Sequence, residues 1–216
     1  MAAIRQKIPK ALAFCKLEVE RKFRSLAVPQ LTQHGGTPPF KTLHALPLQT
    51  IRDTYYDKTN LLSSAGAWIR RRNGTWEAKI RKGGDFTNSQ FEELNEVDDI
   101  AACVERITGV TAHEREDFGL VNMADFVTTR ETWIADEEFH IVRDNMDFGH
   151  EVGEVELQRT VEGRVLSEGE KRDEMRRMDE RIGEFMRRYE WAFAEGKPVG
   201  KLTAYFAKMG KSSLAG

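Results

Sequence analysis

Residues 16 to 24 read KLEVERKFR, and few folds can use such a stretch. In a strand, alternate side chains take opposite faces. Glu18, Glu20 and Lys22 then share one face, and Leu17, Val19, Arg21 and Phe23 share the other. One strand of this kind would simply turn its charges to water. The pattern recurs, however. AWIRRR puts Trp68, Arg70 and Arg72 on one face. WEAKIR puts Glu77, Lys79 and Arg81 opposite Trp76, Ala78 and Ile80, and EVGEVELQR puts Glu154, Glu156 and Gln158 opposite Val155 and Leu157. A chain of 216 residues has little reason to give so many strands a charged face. A sheet closed on itself gives every strand an inner and an outer side, and about eight strands enclose room for one small ligand. The expected fold is α+β: a closed antiparallel β-barrel, a tunnel of about eight strands lined by charge, with helices packed outside.

Local signals fill in the chain. Leu48–Asp57 alternates as a strand, with Ile51, Asp53, Tyr55 and Asp57 on one side. Asn73-Gly74 between two alternating runs predicts a tight hairpin. SQFEEL adds a strand with Phe91 and Glu93 on one side, and further strands are expected over Phe126–Ala135 and Phe139–Asp144. Ile100, Val104 and Ile107 recur at helical spacing, which predicts a helix over Val97–Thr108. Ser167 and Glu170 form a capping box for an amphipathic helix reaching Glu195, whose buried stripe is Met175, Met178, Ile182, Phe185, Met186 and Tyr189. Gly196-Lys197-Pro198 ends it, and a short helix follows over Leu202–Met209. Val28–Pro47 holds four of the six prolines and reads as a helical turn plus loop; Leu61–Ser64 reads as a short helix. The division is an arm over 1–15, one tunnel domain over 16–209 and a tail over 210–216.

Totals exclude several classes. Lys plus Arg is 33 against 35 Asp plus Glu, a net charge of −2, which argues against a nucleic-acid partner held by bulk charge. Cys15 and Cys103 make no disulfide framework and suit a reducing compartment. No apolar run approaches the length of a membrane span. These features predict a cytoplasmic monomer that binds neither nucleic acid nor membrane. The five histidines show no metal-ligand spacing. Asp147-Phe148-Gly149 lacks the loops that accompany it in kinases, and Gly210-Lys211-Ser212 has Tyr205 where a phosphate loop needs glycine.

The inward charges then require a ligand, because buried charges must be paired or neutralised. The acids are Glu18, Glu20, Glu93, Asp144, Glu154 and Glu156; the bases are Lys22, Arg70, Arg72, Lys79, Arg130 and Lys201. Arg71, Glu77 and Arg81 read as surface or supporting residues. A polyphosphate suits the bases, and a hard divalent cation suits clustered carboxylates. Phosphoryl transfer rests on positioning and charge stabilisation and needs no covalent nucleophile.

KLEVERKF contains Glu-x-Glu-x-Lys and resembles the N-terminal signature of the CYTH superfamily, the triphosphate tunnel metalloenzymes. RDTYYD, AWIRRR, WEAK, VTTR, DFGHEVGEVEL and GKLTAYF are similar, in the same order, to segments of thiamine triphosphatases. The resemblance implies that Glu18, Glu20, Asp144, Glu154 and Glu156 bind divalent metal, magnesium or manganese, with Asp147 close enough to compete with Asp144. It makes Glu18, Glu20, Glu154 and Glu156 the group around the reacting water. Lys22, Arg70, Arg72, Lys79, Arg130 and Lys201 would grip the triphosphate, and Trp68 would stack on thiamine. The implied reaction converts thiamine triphosphate to thiamine diphosphate and phosphate. Alternatives are an inorganic tripolyphosphatase on the same tunnel, an adenylyl cyclase, or a non-catalytic polyphosphate binder.

Overall fold

The computed structural model describes residues 14–210. The expected tail from 211 and the arm up to 13 lie outside the described residues; Phe14 and Cys15, assigned above to the arm, already belong to the first strand. The strands are β1 (Phe14–Phe23), β2 (Leu43–Ala45), β3 (Gln49–Asp57), β4 (Ala67–Arg72), β5 (Thr75–Gly84), β6 (Asn88–Leu94), β7 (Val121–Ala135), β8 (Phe139–Met146) and β9 (His150–Glu162). Eight of them close a ring in the order β3-β4-β5-β6-β1-β9-β8-β7, every pair antiparallel, with β7 pairing both β8 and β3. Short β2 adds to Trp133–Ala135 of β7.

The outer faces pack as alternation requires. Helix α3 (Glu168–Arg188) lays Met175, Met178, Ile182 and Phe185 on Leu17, Val19, Ile141, Val155 and Leu157. Helix α2 (Val97–Thr108) lays Ile100 and Val104 on Ile69, Trp76 and Ala78, beside the one-turn α1 (Leu61–Ser64). Each such side chain, fully buried, contributes about 1.5–3 kcal/mol, so the fold can tolerate a polar interior. Gly153 interrupts the β9 alternation because the Phe23 ring occupies the place of a side chain: a Cβ there would lie 2.0 Å from Phe23 Cε2.

Asn73 (φ 48°) and Gly74 (φ 89°) take the left-handed conformations of a two-residue hairpin. That turn pairs Arg72 with Thr75 and so decides which residues of β4 and β5 point inward. The capping box of α3 forms as expected, Glu170 N donating to Ser167 Oγ at 3.2 Å and Ser167 N to Glu170 Oε2 at 2.9 Å.

Several expectations need correction. Helix α3 ends at Arg188, not Glu195: Tyr189 leaves the helix to bury its ring against Phe40 and donate to Asp136 Oδ2 at 2.7 Å, and one 3-10 turn follows at Glu190–Ala192. Val28–Pro47 holds turns and β2 in place of a helical turn. β7 starts at Val121, five residues early, because that segment pairs with Asp57–Tyr55. β8 continues to Met146, and the last helix, α4, spans Lys201–Lys208. The interior is also not charged throughout. Tyr55, Phe126, Met146 and Val152 point inward at one end and meet Phe206 of α4. No helix among the described residues is long and apolar enough to cross a membrane.

Candidate active site

The barrel encloses a cavity of about 820 Å3. Its wall includes Glu18, Glu20, Lys22, Trp68, Arg70, Arg72, Lys79, Glu93, Arg130, Glu154, Glu156 and Lys201. Asp144 lies beside it, wholly buried. All the residues singled out on inward strand faces are therefore brought together. Asp147 is exposed on the β8–β9 turn and takes no part.

The acids fall into distinct groups set by strand register. β1 and β9 align Glu20 with Glu156 and Glu18 with Gln158. Glu18, Glu20 and Glu156 each offer a carboxylate oxygen within 4.8 Å of the others. Burial, and then the neighbouring Glu18 charge, push the Glu156 carboxyl up to about 8. Gln158 Nε2 donates to Glu18 at 3.2 Å, while Lys79 binds Glu18 and lies 3.4 Å from Glu20. Three converging hard oxygens with surplus negative charge suit a divalent cation such as magnesium or manganese.

Asp144 and Glu154 sit among bases. Arg130 forks onto Asp144 at 2.7 and 2.6 Å, and Lys201, the first residue of α4, pairs with the same carboxylate. Lys22 and Lys201 each approach Glu154 at 3.7 Å. Burial raises the Glu154 carboxyl, but Lys201, Lys22 and Arg130 outweigh it and hold the group well below the usual carboxylate range. Asp144 is likewise held low against burial by Lys201 and Arg130.

A third group escaped the sequence reading. Asp53, 1% exposed, takes a fork from Arg72 at 2.8 and 2.8 Å. Arg70 donates to Glu77 at 3.0 and 2.8 Å and to the Tyr55 hydroxyl at 3.3 Å. Asp53 and Tyr55 share a strand face, which was the available signal; their partners lie on β4, which periodicity alone does not reveal. Glu93 bridges Lys79 and Lys16; those bases overcome burial and bring its carboxyl down to about 2. Trp68 stands edge-on to Phe91, ring centroids 5.6 Å apart, with the Arg81 guanidinium 4.9 Å over its face.

No family model matches the chain. Human thiamine-triphosphatase is 35% identical over 163 residues, 65% of this chain and 67% of that protein. Among solved structures, PH1819 from Pyrococcus horikoshii OT3 superposes with TM-score 0.50 at 18% identity, over 85% of this chain and 94% of that one. HpAC1 from Hippeastrum, an adenylyl cyclase candidate described as having a dominant triphosphatase activity, superposes with TM-score 0.51 at 17% identity, over 90% and 97%. At those identities the structures speak for the fold alone. The barrel, the three-carboxylate cluster and the human relative support a metal-dependent phosphohydrolase acting on a triphosphate moiety. The chain belongs to the CYTH superfamily of triphosphate tunnel metalloenzymes.

Proposed function

We propose that the protein hydrolyses thiamine triphosphate to thiamine diphosphate and phosphate. The observation that carries this reading is the meeting, in one cavity of the barrel, of the Glu18–Glu20–Glu156 cluster with bases already held by their own carboxylates. The resemblance to human thiamine-triphosphatase supports the thiamine head group.

Glu18, Glu20 and Glu156 would hold the divalent cation, which when bound offsets charge on the phosphate oxygens and polarises the phosphoanhydride. The remaining work falls to side chains of the chain itself. Arg70, Arg72 and Arg130 are clamped by Glu77, Asp53 and Asp144, so their guanidinium groups are oriented before substrate arrives. Lys22, Lys79 and Lys201, each paired with carboxylates of the wall, would supply compact charges along the phosphate chain. Trp68, half-buried at the cavity wall, is the ring on which the head group would stack, with the Arg81 guanidinium already over one of its faces. The Glu154 carboxylate, kept ionised by three bases, is poised to accept a hydrogen bond from the attacking water.

Bare tripolyphosphate is the second reading, since the bases ask only for a phosphate chain. Phosphate release from thiamine triphosphate, tripolyphosphate and ATP, with and without magnesium, separates the readings. The expected result is magnesium-dependent release from thiamine triphosphate, reduced by Trp68→Ala at least tenfold more than release from tripolyphosphate. Equal loss on both substrates would remove Trp68 from the head-group site. Release from ATP with pyrophosphate as product would assign a cyclase.

A further inference from the structure

Arg81 differs from the other buried or half-buried bases of the cavity wall. Those have a carboxylate oxygen within 4.0 Å, as Lys22 has Glu20, Arg72 has Asp53 and Arg130 has Asp144. Among the described residues Arg81 forms no such pair, and its Nε is buried without a hydrogen-bond partner. Asp85 senses its charge but spends Oδ1 on the backbone N–H groups of Thr87 and Asn88, at 2.7 and 2.8 Å. What Arg81 does contact is the Trp68 ring, whose face its guanidinium covers at 4.9 Å.

The head-group platform thus carries an unneutralised cation on one face. A thiazolium ring has a permanent positive charge. To stack on Trp68 it must displace Arg81 or lie beside a like charge. The free end of a bare phosphate chain meets the opposite situation, because a guanidinium fork matches phosphate oxygens in pairs. We propose that Arg81 is a specificity-determining residue, a charge filter that disfavours a cationic head group at Trp68 and favours an anionic end. The proposal rests on the cavity being a triphosphate site and adds that residue 81 sets which triphosphates it prefers. Repulsion of the unwanted ligand is a common route to selectivity.

The test compares wild type, Arg81→Gln and Arg81→Lys. Initial rates in magnesium give kcat/KM for thiamine triphosphate and tripolyphosphate, and calorimetry in calcium gives the two dissociation constants. In Arg81→Gln the preference should move toward thiamine triphosphate by roughly tenfold or more, since one like-charge contact ranges from about fourfold in bulk water to a few hundredfold near a protein surface. Arg81→Lys, which keeps the charge, should retain the wild-type ratio. A merely structural role would weaken both ligands alike, and that result overturns the proposal. So does an unchanged ratio, or an Arg81→Lys protein that behaves like Arg81→Gln. Should wild type release phosphate from neither ligand, the hydrolase reading fails while the calorimetric ratio still decides for or against Arg81. Should it bind neither, both readings fall.

Discussion

Replacing Glu156 by Gln should stabilise the cation-free protein while weakening its binding of magnesium and uncoupling that binding from proton release. In the folded chain this carboxyl sits near 8, raised by burial and by Glu18. In the unfolded chain it returns to an ordinary value of about 4.3. The folded pKa is the higher, so the associated stability is complete below the unfolded value and is lost as pH rises through the folded one. At pH 7 the loss spans about 2.7 units at about 1.36 kcal/mol each, on the order of 4 kcal/mol. Gln keeps the shape and the neutral state and carries no such loss. Urea denaturation without divalent cation should therefore find Glu156→Gln more stable than wild type at pH 7, and nearly equal to it at pH 4. Cation binding gives a second measure. With its carboxyl raised to about 8, Glu156 favours the protonated form at pH 7, so wild type should release protons on binding the cation, and the variant should release fewer. A variant that is less stable than wild type at pH 7, or that releases as many protons, would refute the reasoning.

Two further outcomes are expected. Asp144→Asn should cost about 3–5 kcal/mol in urea denaturation, because Arg130 and Lys201 would lose a buried shared partner; a cost below about 1 kcal/mol would mean that water or Glu154 compensates fully. Ile182→Ala, in the interface between α3 and the barrel, should cost about 2–5 kcal/mol while leaving kcat/KM within twofold at temperatures below unfolding; a large loss of kcat/KM would tie the outer core to the site.

The barrel was legible because alternation is a local property. Glu18-x-Glu20-x-Lys22 and Glu154-x-Glu156-x-Gln158 declare a polar face without knowledge of any other strand, and Asn73-Gly74 declares the turn that aligns β4 with β5. Features decided by distant contacts were not legible. The sequence after Arg188 continues in residues compatible with a helix, yet Tyr189 and Trp191 are drawn aside to Asp136 and to the Pro38 carbonyl at 2.7 and 2.9 Å. β2 is three residues long and exists because β7 extends past the barrel to receive it. Alternation also cannot separate an inward apolar side from an outward one, so the Tyr55–Phe126–Met146–Val152 end of the tunnel had no signature of its own.

The division of labour among the carboxylates follows the same logic. Glu154 and Glu156 lie two residues apart on one strand face and would be assigned alike by any pattern. Across the strands, Glu154 aligns with Lys22 and Glu156 with Glu20. The two carboxyls move in opposite directions: Lys201, Lys22 and Arg130 overcome burial and hold Glu154 well below the usual range, while burial and then the Glu18 charge carry Glu156 up to about 8. The first lies among Lys22, Lys201 and Arg130; the second lies in the cluster with Glu18 and Glu20, where burial and Glu18 favour its protonated form. Register between β1 and β9, set by the outward packing of Leu17, Val19, Val155 and Leu157 under α3, therefore places Glu156 in the three-carboxylate cluster and Glu154 among the bases. A one-residue slip would turn both sets to the outer face and expose the core side chains in their place, so the packing that stabilises the barrel is also what keeps the two kinds of carboxylate apart.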